Sequence, residues 1–176
     1  MIEENFEYDL IVLGAGSGGV RASRIAASYG AKVAVIEENR PGGTCVLRGC
    51  IPKKLMVHGS EFKKQVNDAK EYGWKVESLK HDWDVLNTSI EKELDRLAGI
   101  YINILKNSGC KLITGKAHFI NPSEIKVNDE ILKGKKILIA TGGLPYLPDI
   151  DGLKENAITS NEALKLNSLP KSIAIF

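Results

Sequence analysis

The sequence predicts an α/β fold, with a parallel sheet, a helical layer and a small β-meander. Two apolar runs, Tyr8–Leu13 and Val33–Ile36, have the length and composition of strands buried on both faces. Between them lies a helical stretch with small residues at Ala22, Ala26 and Ala27, which permit close packing. A third run, Lys136–Thr141, repeats the buried-strand pattern further along. Strand, helix and strand within some thirty residues form a βαβ unit, which calls for parallel pairing.

The elements follow in order. Gly14-Ala15-Gly16-Ser17-Gly18-Gly19 turns the first strand into a helix over Val20–Tyr29, closed by Gly30. Lys32–Glu37 is the second strand, and a glycine-cysteine loop comes next. A long helix from Cys50 to Tyr72 keeps Ile51, Leu55, Phe62, Val66 and Ala69 at roughly helical spacing before Gly73 ends it. Lys75–Trp83 is ambiguous. A second long helix runs over Asp84–Lys106, with Leu94, Leu97, Tyr101, Ile104 and Leu105 on one side. Short strands at Lys111–Ile113, Ala117–Ile120 and Glu124–Val127, with turns at Asn121-Pro122-Ser123 and Asn128-Asp129, give the meander. After Lys136–Thr141 the chain to Asn167 reads as an irregular connection, and Ser172–Phe176 begins another buried strand. A strand followed by no turn predicts that this chain is truncated.

Composition bounds the function. The chain has 176 residues, 43% hydrophobic and 26% charged, enough for one domain with a core or for one domain plus a fragment of another. A net charge of +2 gives no argument for a nucleic acid or a membrane surface as partner. The basic pairs Lys63-Lys64 and Lys135-Lys136 read as solvated faces. The acidic N-terminus with Glu3, Glu4 and Glu7 does not read as a signal peptide, and Leu10–Leu13 is far too short to span a bilayer. A cytoplasmic location is the expectation. Three cysteines in such a chain do not make a disulfide framework. Cys110, where a helix stops and a strand starts, reads as a small buried hydrophobe.

Gly14-x-Gly16-x-x-Gly19 becomes a strong signal in its context. It follows a strand, opens a helix and precedes a strand that ends in Glu37. Gly14 allows the tight turn, Gly16 lets backbone approach a pyrophosphate at a helix N-terminus, and Gly19 lets helix and strand touch. The Glu37 carboxylate can accept ribose hydroxyls and would repel a 2′-phosphate.

The second motif is Gly42-Gly43-Thr44-Cys45-Val46-Leu47-Arg48-Gly49-Cys50-Ile51-Pro52-Lys53-Lys54. Two thiols stand five residues apart at the start of a helix, near Arg48, Lys53 and Lys54. A helix N-terminus and neighbouring cations favour a reactive thiol. Structural zinc needs four ligands, and Cys110, His58, His81 and His118 supply no second pair, so no metal is expected. A pair of buried core thiols stays open as the plain alternative. In regular helix, α-carbons five apart are about 8–9 Å from each other, whereas a disulfide needs about 7 Å or less. A Cys45–Cys50 disulfide therefore requires loop or distorted turn around Val46–Gly49. Pro52 is tolerated in a first helical turn.

With these motifs the chain resembles the N-terminal part of the flavoprotein disulfide reductases, the class I pyridine nucleotide-disulfide oxidoreductases, and among them the glutathione reductases. The resemblance covers essentially the whole chain. Leu47-Arg48 and Pro52-Lys53-Lys54 set it apart from the lipoamide dehydrogenases, which usually have Asn-Val between the cysteines and Pro-Ser-Lys after them. It implies a Rossmann-like FAD-binding domain, incomplete, over residues 1–160, with 161–176 a linker and first strand of a missing NADPH-binding domain. It implies electron flow from NADPH through FAD to Cys45–Cys50 and on to glutathione disulfide.

Residue by residue, the resemblance makes Cys50 the flavin-facing thiolate, Cys45 the interchange thiol and Lys53 a neighbour of the flavin's reactive edge. Gly14, Gly16, Ser17, Gly18, Gly19, Glu37, Gly43, Thr44, Cys45, Lys53, Ala117, Thr141 and Gly142 would line the FAD site. Ser17, Arg24 and Tyr101 would meet the substrate, with Arg24 pairing with a glutathione carboxylate. Surface and core roles stay open for Arg24 and Tyr101. Arg21 and Arg24 together disfavour a cationic substrate. A homodimer is implied for the full-length protein, whose catalytic His-Glu pair no histidine here matches, so the chain alone is expected to be inactive. Three other readings remain: a lipoamide dehydrogenase or other flavin disulfide reductase, a non-catalytic dinucleotide-binding module, and a small thiol sensor.

Overall fold

The computed structural model describes residues 5–175. Its strands are β1 (Tyr8–Leu13), β2 (Val33–Glu37), β3 (Lys111–Thr114), β4 (Ala117–Asn121), β5 (Glu124–Val127) and β6 (Glu130–Ile139). Its helices are α1 (Ser17–Ser28), α2 (Gly43–Arg48), α3 (Cys50–Glu71), α4 (Trp83–Asn107), α5 (Leu153–Asn156) and α6 (Ser160–Ala163). The chain divides into two compact units. One takes in residues up to Leu47 and then Asp95–Leu144; the other takes in Arg48–Leu94 and the chain from Pro145 onward.

The first unit is built on one sheet in the order β3-β2-β1-β6-β5-β4. β1 pairs in parallel with β2 and β6, and β2 with β3. Alternation along the strands feeds two cores. Ile11 and Leu13 of β1 and Ala34 and Ile36 of β2 join Ile125, Val127 and Leu132 of the meander on one face. Val12, Val33 and Val35 meet Val20 of α1 and Leu105 of α4 on the other, with Ala26 and Ala27 packed alongside. Both faces are covered over Leu10–Leu13 and Val33–Ile36, which is why these stretches read as apolar runs, while Asp9 of β1 is exposed. The architecture is Rossmann-like: a mixed six-stranded sheet with a parallel centre and a helical layer.

β6 serves two partners in turn. Its first half pairs antiparallel with β5, and from Gly134 on it pairs in parallel with β1. The changeover falls at Gly134, where an added Cβ would stand 2.8 Å from the Ile11 side chain.

In the second unit, Asp82 caps α4 by accepting the N–H groups of Asp84 and Val85 at 3.0 and 3.1 Å. Gly59 of α3 leaves room for the Leu86 side chain of α4. No helix among the described residues is long and apolar enough to cross a membrane.

Several elements differ from the sequence reading. The meander is β4-β5-β6; β3 instead joins the parallel sheet beside β2. The third buried strand is ten residues long and ends at Ile139, and its Leu138 and Ile139 are exposed. Only β1 pairs with that half of it among the described residues, so its apolar composition is not matched by burial. The connection to Asn167 holds α5 and α6, the latter started by a capping box in which Thr159 and Glu162 satisfy each other's backbone. Residues 172–175 form no strand, because no neighbouring strand pairs with them among the described residues. Phe176, the end of that expected strand, lies outside the described residues, as do Glu3 and Glu4.

Candidate functional site

Parallel pairing brings the ends of several strands to one edge. Leu13 lies beside Ile36 and Ile139, and Glu37 beside Thr114. The residues that follow β1 and β6 share that edge, Gly14–Gly19 and Thr141–Gly142, whereas Ala117 begins β4 opposite Val127. Ligands of open α/β sheets bind at the carboxyl ends of the strands.

The glycine turn is tight where the motif requires it. Gly14 has φ +107°, and an added Cβ would meet the carbonyl oxygen of Ala140 at 2.4 Å. One on Gly19 would meet the Gly14 carbonyl oxygen at 1.9 Å. Gly16 is the N-cap of α1, in extended conformation, and no acid stands in the first turn. Ser17 and Gly18 are exposed there, so the N–H groups of the first turn are available to an anion.

Glu37 holds this turn from the side. Its Oε2 accepts the Ala15 N–H at 2.7 Å and its Oε1 accepts the Asn39 N–H at 3.0 Å. A carboxylate has about four acceptor positions, so capacity remains for hydroxyls.

The second motif begins against the first. The Gly42 N–H donates to the Ala15 carbonyl at 2.9 Å. An added Cβ on Gly43, whose φ is +67°, would stand 2.6 Å from the α-carbon of Gly16. The two glycine loops thus touch backbone to backbone. Arg40 pairs with Asp95 of α4, anchoring the same segment from its other side.

α2 carries Thr44, which is exposed, and Cys45, which is half-buried. The distortion expected over Val46–Gly49 is confined to Gly49 (φ −152°, ψ −107°); Val46–Arg48 is helical. A six-residue helix with a glycine-rich start carries little sequence signal. α3 restarts at Cys50, and the Gly49 carbonyl accepts the Lys53 N–H at 3.0 Å. Pro52 is buried within that first turn, where no N–H is needed. Cys50 and Lys53 are exposed and belong to the second unit.

Of the expected substrate residues, Ser17 and Arg24 are exposed on α1, while Tyr101 packs against the apolar cluster beneath that helix. Arg24 faces Cys110 electrostatically; burial pushes the Cys110 thiol up, and Arg24 opposes this. Arg40, Asp95 and the Asn39 N–H were not picked out from the sequence. An ion pair between a loop and a helix fifty-five residues on has no local signature.

The family model for pyridine nucleotide-disulphide oxidoreductases matches residues 8–176. This chain belongs to that family. Within the oxidoreductase family it is 49% identical, over 97% of its length and 37% of the relative's, to a glutathione reductase of Nostoc sp.. It is 45% identical to the chloroplastic/mitochondrial glutathione reductase of Pisum sativum, over 97% of its length and 33% of that protein's. The thioredoxin reductase SEP1 of Emiliania huxleyi is 39% identical over 93% of the chain and 36% of that protein. The chain thus spans about a third of the length of the curated relatives it matches.

Proposed function

We propose that this chain is the FAD-binding segment of a flavin disulfide reductase that passes electrons from NADPH through FAD to Cys45–Cys50 and on to glutathione disulfide. The observation that best supports this reading is the contact of Gly43 with Gly16, between the segment that leads into Cys45 and the Gly14–Gly19 turn. The relatives named as glutathione reductases support the choice of substrate.

The residues fit FAD. Gly14, Gly16 and Gly19 make a turn free of side chains, the open start of α1 suits a pyrophosphate, and Glu37 keeps acceptor capacity for ribose. Gly18, Thr44, Ala117, Thr141 and Gly142 complete the proposed lining. Bound flavin would supply two-electron transfer between a nicotinamide and a disulfide. Cys45 and Cys50 would form that disulfide across the helix break at Gly49. On reduction Cys45 attacks the substrate disulfide, and Cys50 then displaces the mixed disulfide to release the second thiol. Lys53 supplies positive charge one turn beyond Cys50, and Ser17, Arg24 and Tyr101 would receive an acidic peptide disulfide.

Residues 1–160 would be the incomplete FAD domain and 161–176 the lead into an NADPH domain. The full-length protein would be a cytoplasmic homodimer, and the chain alone inactive. The full-length protein tests this. It is expected to oxidise NADPH with glutathione disulfide; preference for NAD with dihydrolipoamide, or for thioredoxin disulfide, would replace the substrate reading. Cys45→Ser should block turnover and leave a long-wavelength flavin–thiolate band from Cys50. Bound FAD without that band overturns the assigned thiol roles.

A further inference from the structure

We propose that Asp151 is a site of spontaneous backbone modification: the Gly152 amide attacks the Asp151 side chain, and the product is an isoaspartyl link at the start of α5. Asp151-Gly152 is the one Asp-Gly pair in the sequence, which has no Asn-Gly pair.

The structure leaves this pair open to the reaction. Ile150–Leu153 is a turn closed by the Leu153 N–H, which donates to the Ile150 carbonyl at 3.1 Å. Within it Gly152 has φ +76° and ψ −1°, a conformation glycine adopts readily. Asp151 and Gly152 are both exposed. Among the described residues the Gly152 N–H has no acceptor and the Asp151 carboxylate has no partner. No side chain on residue 152 crowds the ring that must form.

The other aspartates each lack one of these conditions. Asp9 lies in β1, where the Lys32 carbonyl holds the following Leu10 N–H. Asp68, Asp84 and Asp95 lie within helices, and the Val85 N–H after Asp84 is bonded to Asp82. After Asp149, the Ile150 N–H is bonded to the Pro148 carbonyl at 3.0 Å. Asp82 and Asp129 are followed by Trp83 and Glu130, whose side chains crowd ring closure.

The reaction needs no cofactor. The Gly152 nitrogen loses its proton and bonds to Cγ of Asp151, one carboxyl oxygen leaves as water, and a five-membered succinimide results. Water then adds to either ring carbonyl. Addition at the side-chain carbonyl restores aspartate. Addition at the main-chain carbonyl breaks the original peptide link and leaves Gly152 joined through Cγ. Mass is conserved, the backbone gains one methylene, and the carboxylate moves to the α-carbon.

That methylene falls inside the turn. It parts the Leu153 N–H from the Ile150 carbonyl and shifts Gly152, whose carbonyl accepts the Asn156 N–H at 3.2 Å and its side-chain amide at 2.8 Å. Leu153 is the buried residue of α5, so the bonds lost are those that hold α5 at its anchored end.

The experiment incubates full-length protein at neutral pH and physiological temperature. Isoaspartate is located by electron-transfer fragmentation of its peptides and counted with an isoaspartyl carboxyl methyltransferase, which adds one methyl group to each. It should accumulate at Asp151 ahead of every other aspartate of residues 1–176, at a rate within a few fold of that in urea-unfolded protein. Asp151→Glu keeps the charge but would have to close a six-membered ring, and should lose the product. Amide exchange at Leu153, Asn156 and Ala157 should be faster in the isoaspartyl form.

Isoaspartate at Asp151 that appears only after unfolding overturns the proposal, because the turn then protects the pair. Methyl uptake that survives Asp151→Glu overturns it too, since the product then lies elsewhere. Unchanged exchange in the isoaspartyl form overturns the link to α5. The comparison of folded with unfolded protein needs no variant.

Discussion

Glu37 accepts the backbone N–H of Ala15 at 2.7 Å, so the last residue of β2 fixes the turn that leaves β1. The motif reading gave this carboxylate only a ligand to hold. The structure gives it a second task that exists without the ligand. Hydrogen bonds to charged groups contribute about 1.5–3 kcal/mol, and less when partly solvated. Glu37→Ala should therefore lower stability by about 1–2 kcal/mol, several degrees in melting midpoint for a chain this size. Thermal unfolding in the absence of nucleotide checks it. An unchanged midpoint would mean that the carboxylate serves only a ligand.

Gly18 and Gly19 are adjacent, yet alanine should act oppositely on them. A Cβ on Gly19 would collide with the Gly14 carbonyl oxygen at 1.9 Å, and backbone cannot step aside. The cost should reach about 3 kcal/mol or more. Around Gly18 nothing lies within 4 Å and its φ is not positive. There alanine should raise apoprotein stability by up to about 1 kcal/mol, because glycine is a poor helix residue. In the full-length protein the same methyl should reduce flavin content, since it projects from the turn proposed to hold the pyrophosphate. Denaturant midpoints and flavin absorbance read the two effects separately. A Gly18→Ala protein with normal flavin content would move the pyrophosphate elsewhere.

The parts of the fold legible in the sequence are those with strong periodicity or glycine chemistry. Val33–Ile36 is apolar at every position because both faces are covered, and Gly14 and Gly19 sit where contacts leave no room for a side chain. What was missed is relational. Lys111–Thr114 looks like any short strand, and only a parallel partner at Ala34–Glu37 takes it from the meander into the main sheet. Leu138 and Ile139 have the composition of a core and the exposure of a surface, because burial depends on neighbours that one strand does not encode. Thr159-x-x-Glu162 is a readable helix start within the segment whose Pro145, Pro148 and Gly152 suggest an irregular connection. In the site, the Arg40–Asp95 pair and the Gly16–Gly43 contact join segments distant in sequence, and no local pattern announces either.

Tyr8 should set an alkaline limit on stability. Its side chain is 3% exposed, and the Lys32 ammonium stands 5.3 Å from its ring centre. Burial pushes the phenol above its ordinary value of 10.0; the Lys111 ammonium pulls it back, and Glu7 adds to the rise. Lys111 in turn is raised, chiefly by its hydrogen bond to Tyr8. A folded value above the unfolded one means that the folded state holds the proton more tightly. The contribution is complete below about pH 10 and is lost as pH rises through the folded value. Absorbance near 295 nm should show one of the five tyrosines titrating late. Tyr8→Phe should remove that late step and flatten the fall in stability above about pH 10. A late step that survives the substitution belongs to another tyrosine.

One carbonyl ties the C-terminal segment to the start of α4. Leu166 O accepts the Trp83 indole N–H at 2.8 Å and the Asn87 side-chain amide at 2.9 Å. Both lone pairs of that oxygen are thereby used, and both donors sit on successive turns of the same helix. Residues 164–175 otherwise form no helix or strand, and these two bonds hold Leu166 to α4. At about 1 kcal/mol each, their loss should open the segment roughly thirtyfold more often. Trp83→Phe with Asn87→Ala should therefore speed tryptic cleavage after Lys165 and Lys171 by about that factor. Far-UV circular dichroism should stay nearly unchanged, because α4 keeps its Asp82 cap. Each single substitution should give an intermediate rate. Cleavage as slow in the double variant as in the parent would show that the segment is held by something other than the Leu166 carbonyl.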